Sequence, residues 1–205
     1  MNKTNYQQKM QEQIKLLNGN KAKLLIHSCC APCSSACLER LYNFFDVSVL
    51  FYNPNIQTGE YEKRKAEQIR FLEQTGWAKF IDCDHNEEDF YLNICGLEGE
   101  PEGGKRCERC FEIRLKKTAE IARQMHFDFF ATTLTLSPLK NADIINALGE
   151  DIARQVGVNW LYSDFKKQNG YLRSIELSKI YQLYRQNFCG CAFSEKESFI
   201  KGLKN

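Results

Sequence analysis

The sequence predicts an α/β fold built on a doubly wound, mainly parallel β-sheet. Short apolar runs rich in β-branched and aromatic residues alternate with longer segments whose apolar residues recur at the helical interval. Each short run also leads directly into a polar or cysteine-rich segment. In a doubly wound sheet such segments meet at the carboxyl edge of the strands, where ligands bind.

The predicted elements follow in chain order. The polar stretch of residues 1–20 predicts a helical extension ahead of the sheet. The candidate strands are Leu24–His27, Val47–Tyr52, Lys79–Asp82, Phe127–Thr133 and Asn159–Tyr162. Helical spacing marks two of the segments between them, one through Phe111, Leu115, Thr118, Ala122 and Met125, the other through Ile144, Leu148, Ile152 and Val156 with Gly157 as its stop.

Size and composition narrow the class of protein. With 205 residues, 43% of them hydrophobic, we expect a single domain over residues 1–205 with one sizeable core. No run approaches the roughly 18 apolar residues of a membrane span, and the first residues lack the apolar stretch of an export signal. We therefore expect a cytoplasmic protein without membrane association. Ten cysteines in that compartment indicate metal ligation or redox chemistry rather than a disulfide framework.

Three cysteine groups carry the strongest local signal. They are Cys29 and Cys30 with Cys33 after the first strand, the pair Cys107 and Cys110 where a helix begins, and Cys189 and Cys191 on either side of Gly190. The helix start and the neighbouring Arg106 and Arg109 favour thiolate over thiol in the second group. Closing a disulfide across one residue strains it, so the third group favours a redox-active pair over a stabilising one.

Two kinds of metal centre fit the first two groups. Four thiolates from Cys29, Cys30, Cys107 and Cys110 suit either a structural zinc or an iron-sulfur cluster, and spacing does not separate the two. The four cysteines are predicted to lie at the carboxyl edge of a complete sheet, where ligands bind. This position favours the iron-sulfur cluster over the structural zinc. Cys33 is left open between a ligand and a structural residue. The more isolated cysteines are interpreted as packing or surface residues: Cys37, Cys83 and Cys95.

A basic segment near the last strand suggests an RNA contact. It interleaves cations with an aromatic ring in Lys166, Lys167, Tyr171 and Arg173, which suits phosphate contacts and base stacking, although a solvated turn explains it almost as well. The net charge of only +2 does not by itself demand nucleic acid. The loop of residues 28–33 contains no glycine, which argues against a phosphate-binding loop.

Several other polar and aromatic residues have competing interpretations. Tyr52, Asp84 and His85 are candidate proton donors, while a lone histidine beside an aspartate is more often a satisfied surface residue. Tyr181 and Tyr184 are assigned to packing against helices.

The chain resembles the QueH family of epoxyqueuosine reductases through six motifs that span about residues 24–194. They are Leu-Leu-Ile-His27-Ser28-Cys29-Cys30-Ala31-Pro32-Cys33; Phe51-Tyr52-Asn53-Pro54-Asn55-Ile56; Arg106-Cys107-x-x-Cys110-Phe-x-x-Arg114-Leu115; Thr132-Thr133-Leu134-x-x-Ser137-Pro138-x-Lys140; Asp164-Phe165-Lys166-Lys167-x-x-Gly170-Tyr171 with Arg173-Ser174; and Tyr181-Gln-x-Tyr184-x-Gln-x-Phe188-Cys189-Gly190-Cys191. Their joint occurrence is specific, and no motif departs from the family pattern.

The resemblance implies a fold, a reaction and a set of ligands. The fold is of the HUP type, akin to adenine nucleotide hydrolase-like domains, with a 4Fe-4S cluster at the carboxyl edge. The reaction reduces epoxyqueuosine in the anticodon loop of tRNA to queuosine, the last step of queuosine biosynthesis, with a separate electron donor and without cobalamin. The implied cluster ligands are Cys29, Cys30, Cys107 and Cys110, with Cys189 and Cys191 as the redox-active pair and Cys33 as the candidate ligand of an additional iron.

Overall fold

The computed structural model describes the backbone of residues 4–202 and the side chains of residues 4–199. Its centre is a five-stranded, all-parallel sheet in the order β3-β2-β1-β4-β5. The strands are β1 (Ala22–His27), β2 (Phe45–Leu50), β3 (Lys79–Ile81), β4 (Phe129–Thr132) and β5 (Asn159–Trp160). All five predicted strands are present: β1 begins two residues earlier than predicted, β2 is displaced by two residues, and β3, β4 and β5 are shorter. The predicted α/β class is confirmed.

Eight α-helices within residues 4–202 surround the sheet. They are α1 (Tyr6–Leu16), α2 (Ala31–Leu41), α3 (Thr58–Thr75), α4 (Glu87–Asn93), α5 (Lys105–Gln124), α6 (Ala142–Val156), α7 (Gly170–Ile180) and α8 (Ala192–Gly202), and a 3-10 turn spans Thr133–Leu136. The helix predicted to stop at Gly157 does so, because that glycine caps α6 in the left-handed conformation with φ of 79°. Of the predicted helical extension, residues 1–3 lie outside the described residues.

The sheet is doubly wound, with its switch point between β1 and β4. Leu24 and Ile26 of β1 face one apolar core, which α2 shares through Leu38 and Leu41. Neighbouring Leu25 faces the second core, together with residues of α5 and α6. The alternation along one central strand therefore feeds two cores, and the β1 and β4 exits lie side by side between them.

His27, the last residue of β1, fastens three strand exits together. Its ring Nδ1 lies 2.9 Å from Thr132 Oγ1, and its Nε2 lies 3.1 Å from the carbonyl oxygen of Tyr52 and 3.2 Å from Asn53 Oδ1. Burial, reinforced by the charge of Arg114, lowers the pKa of His27 to about 3, so the ring is neutral and serves as a hydrogen-bonding bracket. These hydrogen bonds fix the strand ends from which the segment after β1 continues.

The N-terminal helix α1 is attached to the body by side-chain contacts. Met10 is buried in the same core as β1 and α2. Gln13 donates from Nε2 to the carbonyl oxygen of Trp160 at 2.8 Å and accepts from the backbone N–H of Tyr162 at 3.0 Å. The edge strand β5 is thus covered by a helix rather than left open. No helix within residues 4–202 combines the length and hydropathy that crossing a bilayer requires.

The packing of α6 on β5 predicts a large difference between two Gly→Ala substitutions. A Cβ at Gly149 would lie 2.4 Å from the indole of Trp160, whose Nε1 is fixed by a 3.0 Å hydrogen bond to Asn146. We expect Gly149→Ala to lower the free energy of unfolding by roughly 1–3 kcal/mol through overpacking. Gly59→Ala, at a helical position with open space around it, is the matched control and should raise it by at most about 1 kcal/mol. Equal stabilities in urea titrations would contradict this packing.

Candidate metal centre

Three separate segments bring seven cysteines to the carboxyl edge of the sheet. The larger of two cavities there has a volume of about 490 Å³ and is lined by Cys29, Cys33, Cys107 and Cys189. The smaller, of about 20 Å³, is lined by Cys107, Cys110, Cys189 and Cys191. Because Cys107 and Cys189 line both, the cavities adjoin, and the predicted meeting of thiols from remote segments is present in the structure.

The tightest sulfur group is formed by the segment after β1. The Sγ atoms of Cys29, Cys30 and Cys33 all lie within 4.8 Å of one another, with 3.8 Å between the first two. Among the side chains of residues 4–199 this is the only set of three metal-binding groups so close together. Three thiols at this spacing can bind a metal ion. Cys33, left open by the sequence, is therefore grouped with Cys29 and Cys30, whereas Cys107 and Cys110 lie outside that group.

The three sulfurs share their protons unequally. Hydrogen bonds from the Cys30 and Cys33 thiols lower the pKa of Cys29 well below its usual range, despite its burial. Burial and the adjacent Cys29 sulfur raise the pKa of Cys30 to about 12, and the hydrogen bonds with Cys29 and Cys30 raise that of Cys33. One thiolate held by two thiols is thus the preferred state before a metal binds.

Cys107 and Cys110 sit in the first two turns of α5, as the sequence predicts. The expectation that both are thiolates is wrong for the protein without metal, because burial raises the pKa of Cys107 and raises that of Cys110 to about 12. The flanking cations do not offset this effect. Arg109 is exposed and pairs with Glu112 at 2.6 Å, while Arg106 donates to the carbonyl oxygens of Glu98 and Glu100.

Cys189 and Cys191 are free thiols in this structure, as are the other eight cysteines. Their segment is held by Arg64 of α3, which donates to the Cys189 carbonyl oxygen at 3.0 Å and to that of Phe188 at 3.3 Å. Gly190 between them has φ of 113°, and a Cβ there would lie 2.9 Å from Ile56. Only glycine fits this position without strain, which fixes how the two thiols are presented.

Two cations without a carboxylate partner in the described chain face the cysteines. Arg114 of α5 is 1% exposed, and its Nη1 and Nη2 find no hydrogen-bond partner among the described side chains of residues 4–199. Lys140 lines the larger cavity; burial lowers its pKa, but the Cys189, Cys29 and Cys33 sulfurs outweigh that effect and raise it. Buried positive charge beside a set of sulfur donors fits a negatively charged metal-thiolate centre, so these residues are chemically suited to an iron-sulfur cluster.

The predicted RNA-binding residues lie near the cavity mouth but differ in availability. Tyr171 is exposed and lines the larger cavity, and Lys167 is exposed. Lys166 pairs with Asp164 at 2.6 Å. Arg173 is engaged by Glu39 at 2.7 Å and by Glu176 at 2.8 Å. Lys166 and Arg173 can contact phosphate only after these ion pairs open.

Most of the residues interpreted as structural behave as expected. Cys37 is fully buried in the core that α2 shares with β1, Cys83 packs against the second core, and Cys95 is exposed. His85 is satisfied by the carbonyl oxygen of Ile56 at 2.9 Å and stacks on Tyr61. Tyr181 contacts Phe71 of α3, and Lys63 of α3 lies over the Tyr184 ring. None of the candidate proton donors Tyr52, Asp84 and His85 lines either cavity.

Sequence reasoning missed two residues that position the cysteines. Gln186 donates from Nε2 to Cys30 Sγ at 2.8 Å, and Gln68 of α3 accepts from the hydroxyls of Ser28 and Ser34. Gln68 belongs to none of the quoted motifs, and Gln186 lies in the motif that ends at Cys191 but was given no role there. Their roles follow from which helix and loop fold over the segment after β1, and that information is tertiary.

The pKa pattern predicts pH-dependent metal binding. Binding must displace protons from Cys30 and Cys110, whose pKa values are both about 12. Raising the pH removes this competition, so apparent zinc affinity should rise roughly tenfold per pH unit for each proton released. Titrations of the reduced protein with zinc between pH 6 and 8 in two buffers of different ionisation enthalpy would measure the released protons. Affinity independent of pH would contradict the protonation states described above.

Comparison with known proteins places these features in a family. The model of the family described as epoxyqueuosine reductase QueH matches residues 24–197. Proteins named epoxyqueuosine reductase QueH are similar along most of the chain. One from Streptococcus pyogenes serotype M1 is 42% identical, covering 95% of this chain and 79% of the relative. One from Thermotoga maritima is 37% identical, covering 83% of this chain and 89% of the relative.

Among solved structures, NMN synthetase from Francisella tularensis superimposes with a TM-score of 0.48 and 11% identity, covering 98% of this chain and 87% of that one. The family match extends over all three cysteine groups, from the segment after β1 to the one before α8. The chain therefore belongs to the epoxyqueuosine reductase QueH family.

Proposed function

We propose that this protein reduces epoxyqueuosine in the anticodon loop of tRNA to queuosine. Six cysteines that line two adjoining cavities carry the proposal, together with Cys30 beside them and two cations that have no carboxylate partner among residues 4–199. A metal centre at this ligand-binding edge of the sheet is better placed for electron transfer to a bound substrate than for a purely structural role. Membership of the epoxyqueuosine reductase family supplies the reaction.

The proposed cofactor is a 4Fe-4S cluster held by Cys29, Cys30, Cys107 and Cys110, with Cys33 as the candidate ligand of an additional iron. The proximity of Cys33 to Cys29 and Cys30 supports its ligand role. Arg114 and Lys140 would balance the negative charge of the thiolates. When bound, the cluster would supply electrons one at a time, which thiols alone do poorly.

The reaction needs two electrons and two protons for each epoxide. Both carbon-oxygen bonds of the epoxide break, a carbon-carbon double bond forms, and the oxygen leaves as water. Oxidation of Cys189 and Cys191 to a disulfide releases two electrons and two protons, which balances the reaction, and a separate electron donor then restores the thiols. Cys189 lines both cavities, which supports its access to bound substrate.

Substrate entry is proposed through the mouth of the larger cavity. Tyr171 offers an exposed ring on which a flipped base can stack, and Arg185 lies 6.0 Å from the centre of that ring. Lys166, Lys167 and Arg173 would contact the loop phosphates once the ion pairs of Lys166 and Arg173 exchange.

Replacing Cys189 tests the proposed redox role. We expect Cys189→Ser to lower turnover of epoxyqueuosine-containing tRNA by at least a hundredfold, because a serine hydroxyl cannot form the disulfide, while bound iron stays at the wild-type level. Turnover is measured as queuosine formed per protein under anaerobic conditions. The matched control is Cys95→Ser, since Cys95 is exposed and outside both cavities, and it should leave turnover unchanged.

Two outcomes would overturn parts of the proposal. Undiminished turnover in Cys189→Ser would remove the disulfide step. Loss of iron in that variant would instead make Cys189 a metal ligand. A wild-type protein that binds tRNA but never forms queuosine, with zinc as its only metal, would contradict the reductase function itself.

A further inference from the structure

The guanidinium of Arg114 is the least satisfied buried charge near the cysteines. The side chain is 1% exposed, and its Nε donates to the carbonyl oxygen of Cys110, one turn earlier in α5, at 3.1 Å. Nη1 and Nη2 have no hydrogen-bond partner within the described part of the chain, and no carboxylate there lies within 4 Å of them. Arg114 lines both cavities.

Two other buried arginines at the same edge provide a contrast. Arg64 is 1% exposed and pairs with Glu60 at 2.6 Å, besides its bonds to two carbonyl oxygens. Arg106 is 3% exposed, donates to two carbonyl oxygens and lies 3.7 Å from Glu197. The fold thus supplies acceptors for its other buried guanidinium groups here, and the two free nitrogens of Arg114 are an exception.

An unpaired charge at this depth is costly unless an anion meets it. Among the residues that line the two cavities with Arg114, those that can carry negative charge are cysteines, with Cys29 and Cys189 in the larger and Cys110 in the smaller, and the exposed Glu102, which makes no ion pair with Arg114. Sulfur becomes a strong acceptor for a cation only when it is deprotonated, as metal binding makes it. Metal-bound thiolates in these cavities would supply acceptors for Nη1 and Nη2 of Arg114.

We propose that Arg114 is a positioning residue for the metal centre, donating hydrogen bonds from Nη1 and Nη2 to its sulfur atoms and setting its reduction potential. Hydrogen bonds to sulfur and the net charge around a cluster both govern that potential. A fixed cation stabilises the reduced state more, because that state carries one additional negative charge. Arg114 therefore raises the potential. This inference rests on the proposed metal centre but needs neither tRNA nor turnover.

The test compares wild type, Arg114→Gln and Arg114→Lys, each reconstituted with iron and sulfide without oxygen. Iron and sulfide content is measured first, and the midpoint potential is then followed by optical redox titration. We expect Arg114→Gln to bind less cluster and to shift its midpoint to a more negative potential. Arg114→Lys, which keeps the charge but loses the fork of donors, should hold more cluster than Arg114→Gln and show a smaller shift.

Arg109→Gln is the matched control, because it removes a cation from the same helix at an exposed site already paired with Glu112. Solvent screens that charge, so its midpoint should match wild type. A midpoint unchanged in Arg114→Gln, or an equal shift in Arg109→Gln, would overturn the inference. A wild-type protein that binds no cluster would instead refute the proposed function.

Discussion

Thiols that are crowded together in a buried space must either keep their protons or share a metal. At this edge of the sheet, burial raises the pKa of Cys30, Cys107 and Cys110, while two neighbouring thiols stabilise a thiolate at Cys29. The fold also buries Arg114 without a carboxylate partner in the part of the chain whose side chains are described. When the thiols lose their protons to bind a metal, the resulting negative charge and the buried cation stabilise each other. The other features of the site hold the thiols in place for that binding.

The scaffold fixes the thiols through contacts that lie outside the cavities or at their walls. His27 joins the exits of three strands beneath the segment after β1. Gln68 holds Ser28 and Ser34 on either side of that segment. Arg64, on the same helix as Gln68, holds the backbone of Cys189. Helix α3 therefore sets two of the three cysteine segments at once, which suits a centre whose ligands must be preorganised.

Much of this arrangement was predictable from sequence. The period of the apolar residues marks the strands and α6, and parallel strands must deliver their following segments to one edge. The protonation of Cys107 and Cys110 was not predictable, because a helix start and nearby arginines suggest thiolates, whereas tertiary burial decides the outcome. The grouping of Cys33 with Cys29 and Cys30, and the lack of a partner for Arg114, likewise depend on packing between distant segments.

The central claim is that thiolates from separate segments hold iron and sulfide together at this edge. X-ray absorption at the iron edge, on protein prepared without oxygen, tests it most directly. The account predicts a first shell dominated by sulfur, with a second contribution from neighbouring iron atoms. A first shell of only nitrogen and oxygen, or sulfur ligation without any iron-iron contribution, would contradict it.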